Sequence, residues 1–129
     1  MVIPLPPPAL VPVARLAADD LGVGEPVFGT TDVDGRALRW VAVRRVDGAI
    51  AAFVDRCPHW SVSLASAGSA PVDDTAIYCS RHGARFRLAD GVCDAGPCEG
   101  RALVALDVAT DAGAVTLSLI RDRLAPGRA

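Results

Sequence analysis

Apolar positions along this chain fall in short, valine-rich runs separated by turn-forming residues, and no segment keeps a helical period beyond two turns. The runs predict strands over residues 11–16, 26–31, 37–45, 49–54, 75–79, 85–88, 102–108 and 114–120, with a short helical turn over 16–22. Asp34-Gly35, Asp47-Gly48 and Asp90-Gly91 fall between these runs. Each is a favourable hairpin dipeptide, because both residue types tolerate positive φ. Short, evenly spaced strands joined by tight turns predict an all-β fold, a small antiparallel sandwich or barrel. No internal repeat is visible.

One stretch breaks the alternation. Residues 60–74 hold four serines, Gly68 and Pro71 and show no strand period. A loop of this length is unusual in so small a domain and suggests a functional or mobile segment. The chain has 129 residues, 51% of them apolar, enough for the core of one domain. The net charge is −2 and no block of like charge exceeds two residues, which argues against nucleic-acid and membrane-surface partners. Every basic residue is Arg, which we read as a compositional bias. Residues 1–10 are proline-rich and lack the charged start of a signal peptide, so they read as an extended arm ahead of a domain spanning 11–121, with a tail over 122–129. No apolar run reaches membrane-spanning length, and a cytoplasmic location is expected.

Four cysteines in such a chain point to metal chemistry or to packed thiols rather than to a disulfide scaffold. The chain's two histidines each lie beside a cysteine, in Cys57-Pro58-His59 and in Cys79-Ser80-Arg81-His82, with nineteen residues between His59 and Cys79. Each pair follows a predicted strand, so two loops at strand ends can bring four ligands together. Two thiolates and two imidazoles suit zinc, or a [2Fe–2S] cluster in which one iron takes both cysteines and the other both histidines. In the cluster each loop must reach both metals, and a mixed Cys/His pair in each loop allows that. Zinc fingers instead tend to segregate Cys from His, so the mixed pairs favour the cluster.

These two boxes, with Gly83, Phe86 and Gly91 after the second, resemble those of Rieske proteins. The run from His82 to Gly91 and the segment Gly96-Pro97-Cys98-Glu99 are similar to Rieske ferredoxins, and the likeness extends over about residues 11–120. The resemblance implies a Rieske-like all-β domain with two cluster-binding loops and one [2Fe–2S] cluster held by Cys57, His59, Cys79 and His82. It further implies a one-electron carrier rather than an enzyme, fed by a flavin-dependent reductase and serving a terminal oxygenase. On reduction the electron is expected on the His-ligated iron.

Departures from the family pattern refine the expectation. The spacing between the boxes is slightly long, and Trp60-Ser61 stands where Arg-Gly or Leu-Gly is common. The disulfide that joins the loops of high-potential members cannot form, since Val62 and Arg81 occupy its positions. The Ser and Tyr hydroxyls of those proteins are replaced by Ala84 and Phe86. Loss of donors to sulfur lowers the potential, toward roughly −150 mV. The alternatives are a Rieske-fold subunit of a larger oxidoreductase, such as an oxygenase or nitrite reductase, and a structural zinc module. An oxygenase needs a second, mononuclear iron with two further histidines, and this sequence holds no third.

Beside the boxes, Cys93 and Cys98 read as small packed thiols. Arg81 is a candidate for a positive rim around the site, whereas Arg85 and Arg87 fit an ordinary solvated face. Trp60 is expected to shield the cluster or to pack under its loop, Trp40 to lie in the core, and Asp73-Asp74 to form a solvated turn.

Overall fold

The computed structural model describes residues 9–120. Apart from Ala9 and Leu10, the expected arm (1–10) and tail (122–129) lie outside those residues. Among the described residues nine strands form three antiparallel three-stranded sheets: β1 (Leu10–Ala17), β2 (Val27–Val33), β3 (Arg36–Arg44), β4 (Ile50–Val54), β5 (Ala76–Tyr78), β6 (Arg85–Arg87), β7 (Cys93–Ala95), β8 (Asp107–Asp111) and β9 (Ala114–Ile120). The first sheet runs β1-β9-β8, the second β2-β3-β4 and the third β5-β6-β7. A 3-10 turn over Ala18–Asp20 fills the place of the expected helical turn. No helix among the described residues is long and apolar enough to cross a membrane.

The second sheet is the middle layer, and its sequence shows why. In β3, Val41 and Val43 pack into one core while Trp40 and Ala42 pack into the other. In β4, Ala51 and Phe53 face the first core and Ala52 and Val54 the second. Strands buried on both faces lose the polar half of the alternation, so both read as near-continuous apolar runs. The second core is closed by Val13, Val115, Leu117 and Leu119 of the first sheet. The first core joins the middle layer to the third sheet through Ile77 and Phe86, both fully buried. Trp40 is 7% exposed, and its indole N–H donates to Thr31 Oγ1 at 3.2 Å.

At Asp47-Gly48 and Asp90-Gly91 only the glycine takes positive φ, 88° and 77°. Asp34 and Gly35 both take positive φ, 53° and 82°, between β2 and β3. A further tight turn, Ala112-Gly113, carries the same two-residue left-handed conformation between β8 and β9 and lacks the polar signature that marks the others.

Two strand expectations need correction. The run 102–108 is not one strand. Ala102 bridges Val92, Ala105 bridges Phe53, and regular pairing begins only at Asp107. The segment crosses between layers, with Leu103 in the first core and Leu106 in the second. An apolar run that serves two cores looks like a strand in sequence. Conversely, β7 has no β-branched or aromatic residue to mark it and is held by pairing with β6.

Candidate metal centre

The two Cys/His boxes fold into loops of matching construction. The Cys57 N–H donates to the Val62 carbonyl at 2.7 Å, and the Ser61 N–H donates to the Cys57 carbonyl at 2.7 Å. In the second loop the Cys79 N–H donates to the Ala84 carbonyl at 2.9 Å, and the Gly83 N–H to the Cys79 carbonyl at 3.0 Å. Each cysteine thus closes its own loop four and five residues ahead. The reversal requires a left-handed residue at the fourth position, which Gly83 supplies with φ 70° and Ser61 with φ 57°. The Trp60-Ser61 departure is therefore accommodated, with a serine where glycine would be unstrained. The loops are joined by the Ser80 N–H on the Leu64 carbonyl at 2.7 Å and the Ala67 N–H on Ser80 Oγ at 2.9 Å.

This construction sorts the candidate ligands by depth. Cys57 and Cys79 are buried, 1% and 3% exposed, among core residues that include Leu64, Ala84 and Phe86. His59 is half-buried and His82 exposed, with ring centroids 4.8 Å apart in an edge-on arrangement. The fold brings the two thiols together on the inner side and the two imidazoles together on the outer side. Burial, with Cys79 alongside, raises the Cys57 pKa, while the His59 backbone N–H and the Cys98 thiol oppose the shift. A thiol raised in this way gives up its proton when a metal binds, so loading releases protons. Among the described residues no group of three or more His, Cys, Asp or Glu converges as a single ion would require. A dinuclear cluster divides its four ligands between two irons, so a spread donor set of two soft thiolates and two imidazoles fits it better than lone zinc.

Three features around the boxes were not expected. Asp55, 2% exposed, accepts hydrogen bonds from Ser63 Oγ and from the Leu64 N–H at 2.7 Å, pinning the first loop from beneath. Only its position two residues before Cys57 hinted at this. A third loop, 96–101, closes the site from the side. A Cβ on Gly96 would lie 2.9 Å from Ala84 Cα, and Arg101 Nη1 donates to the Pro58 carbonyl at 3.1 Å. The turn residues Gly96-Pro97 were its signal. Asp73 does more than face solvent: it accepts from the Thr75 and Ala76 N–H groups, both at 2.9 Å, and from the Tyr78 hydroxyl at 2.6 Å.

Cys93 and Cys98 are packed thiols, 1% and 2% exposed, with their sulfurs 3.5 Å apart. Burial first, then Cys93 and Cys57, push the Cys98 pKa up to about 12. Arg85 pairs with Asp94, and Arg87 with Asp90. Trp60 does not pack under its loop. It is 56% exposed, stacked beside His59 at 5.4 Å and edge-on to His82 at 4.5 Å.

The family model for the Rieske [2Fe-2S] domain matches residues 12–112. This chain belongs to the Rieske [2Fe–2S] family. It is an electron-transfer domain of the kind found in oxidoreductase systems, and the family carries one [2Fe–2S] cluster. No curated protein matches the sequence. Among solved structures, the terminal oxygenase of carbazole 1,9a-dioxygenase from Novosphingobium sp. KA1 is 25% identical, with a TM-score of 0.66 over 84% of this chain and 29% of that one. A chain in the complex of reduced oxygenase and oxidized ferredoxin of carbazole 1,9a-dioxygenase is 27% identical, with a TM-score of 0.66 over 78% of this chain and 95% of that one. This Rieske chain therefore spans under a third of the oxygenase chain but almost all of the second.

Proposed function

We propose that Cys57, His59, Cys79 and His82 ligate the cluster and that the protein is a Rieske-type ferredoxin, moving single electrons from a flavin-dependent reductase to a terminal oxygenase. Residues 11–121 form the domain in this reading. The observation that carries it is the pair of matching loops, which bury two thiols and present two imidazole edges at one exposed tip. When bound, the cluster accepts and releases one electron. The protein's part is to exclude water and to leave an exit. Leu64, Ala84 and Phe86, all fully buried, seal the inner side. His82 and Trp60 are exposed on the outer side, the short path to a docked partner. The carrier reading is further supported by the neighbour matched over 95% of its length, a chain of domain size in a complex containing a ferredoxin.

A second reading is favoured by the match to an oxygenase chain: the same fold as the electron-entry domain or subunit of a larger oxidoreductase. Both histidines of this sequence are used by the cluster, so an oxygenase iron would have to come from elsewhere. Low-temperature EPR of dithionite-reduced, anaerobically purified protein, with iron and sulfide assays, tests the ligands. The expected result is a rhombic signal of the His-ligated type with about two iron and two sulfide per chain. Zinc in place of iron, with failed reconstitution, would refute the assignment. Catalytic reduction of an oxygenase by the isolated chain, driven by a flavin reductase, separates the carrier from the subunit reading.

A further inference from the structure

The exposed tip carries a concentration of unpaired positive charge that the composition conceals. Four arginines are hung on residues 58–66, in and just beyond the first loop. Arg39 Nη2 donates to the Ser61 carbonyl at 3.3 Å, and Arg56 Nη2 to Ser61 Oγ at 3.1 Å. Arg101 donates to the Pro58 carbonyl at 3.1 Å, and Arg81 Nε to Ser66 Oγ at 2.9 Å. All four end on neutral acceptors, and none forms a salt bridge with a carboxylate among the described residues. Elsewhere in the fold Arg45, Arg85 and Arg87 each have an acidic partner. Arg44 ends on the Leu21, Gly48 and Ala18 carbonyls, and Arg15 and Arg36 form no salt bridge among the described residues, but these three are not gathered on one loop.

The nearby carboxylates, Asp55 and Glu99, offset part of this charge and leave the four guanidiniums in excess. Asp55 is buried beneath the loop and engaged with Ser63 and Leu64, and Glu99 stands alone on the third loop. Arg39, Arg81 and Arg101 are exposed and Arg56 half-buried. They are anchored at Pro58, Ser61 and Ser66, close in sequence to His59 and Trp60, where a large aromatic ring is left in solvent beside the imidazoles. An aromatic anchor beside several arginines is the composition of a protein-binding patch.

We infer that this tip is the docking surface for the acidic face of a partner protein, held by Arg39, Arg56, Arg81 and Arg101 beside Trp60. The inference rests on the ligand assignment above for its claim that the patch adjoins the electron exit. Fixed charge at the exit steers encounter and orients the complex, while the net charge of −2 keeps the rest of the surface from attracting acidic partners.

The test uses the cluster-loaded protein and needs no knowledge of the partner. Stopped-flow oxidation of the reduced protein is measured with tris(oxalato)cobaltate(III), an anion, and hexaamminecobalt(III), a cation, across ionic strength. A positive exit predicts that the anion's rate falls about tenfold between ~0.01 M and ~0.3 M salt while the cation's rises. The triple variant Arg56→Gln/Arg81→Gln/Arg101→Gln should lose most of that dependence. Arg45→Gln, at the β3–β4 hairpin, should keep it. An anion rate that climbs with salt, as the net charge alone would dictate, overturns the inference even before any variant is made. Poly-L-glutamate should protect the reduced protein from the anionic oxidant at low salt. Stronger protection by single-stranded DNA of equal charge would overturn the choice of an acidic protein. EPR on the same sample keeps the outcomes apart, since absence of the cluster signal refutes the ligand assignment and not the charge distribution.

Discussion

Replacing Asp55 with Ala tests whether a buried carboxylate, rather than the ligands alone, holds the first loop in place. The side chain is 2% exposed and accepts from Ser63 Oγ and from the Leu64 N–H, and Leu64 is itself fully buried. Removing the acceptor strands the Leu64 backbone N–H in the interior and leaves the half-buried Ser63 hydroxyl without its partner. A hydrogen bond to a charged group contributes about 1.5–3 kcal/mol, and an unsatisfied buried donor costs about 1–3 kcal/mol. The two losses overlap, since each describes the same broken contact, so we expect a destabilisation of about 3 kcal/mol. For a domain of this size that lowers the melting temperature by about 10–20 °C. Asp55→Asn keeps one acceptor oxygen and should lose about half as much. The assay is thermal unfolding by circular dichroism, alongside the half-life of the visible cluster absorbance. Cys57 lies two residues beyond Asp55, so cluster release should accelerate in the same order, Ala before Asn before wild type. A loss below ~0.5 kcal/mol for Asp55→Ala, or an Asn variant as damaged as the Ala variant, would refute the reasoning.

Cys79→Ser should abolish the iron and the visible absorbance, whereas Cys93→Ser should retain both; loss of iron from the latter would show that the ligand assignment is wrong. Ala84→Ser and Phe86→Tyr place hydroxyls at fully buried positions beside the site, and each should raise the reduction potential; a redox titration in which neither single variant nor the pair moves it would end the hydrogen-bond argument. Ser61→Gly relieves a left-handed serine at φ 57° and should stabilise the protein by about 0.5–1 kcal/mol, an expectation that a lowered melting temperature would contradict. For Asp73, the Tyr78 hydroxyl first and the Thr75 N–H second depress the pKa from 3.8 to about 2. Its stabilisation is therefore present above about pH 4 and lost as pH falls through about 2. Melting curves of wild type and Asp73→Asn should converge in that window, and a gap as wide at pH 2 as at pH 6 would contradict the assignment.

Most of what makes this chain a Rieske domain lies in local sequence. The β2–β3 turn is legible because Asp34 and Gly35 reach positive φ at low cost. The boxes are legible because Cys57 and His59, and Cys79 and His82, lie within three residues of one another, so ligand spacing survives without tertiary knowledge. Even the apolar runs of β3 and β4 record burial on both faces.

Other features depend on contacts between residues far apart in the chain. Residues 102–106 resemble a strand because local hydrophobicity cannot tell one core from two, and only the layers decide that Leu103 and Leu106 part ways. β7 exists because β6 offers it a partner. The role of Asp55 depends on Leu64 folding back over it across nine residues. The electrostatics of the tip depend most on tertiary structure. Arg39, Arg56, Arg81 and Arg101 are scattered over sixty residues of a chain whose net charge is slightly negative. Their convergence on residues 58–66, while Arg85 and Arg87 are neutralised by Asp94 and Asp90, follows from which carbonyls and carboxylates the fold places within reach of each guanidinium. A sequence counts charges and spaces ligands, but the pairing of charges over long separations is decided by the packing of the layers.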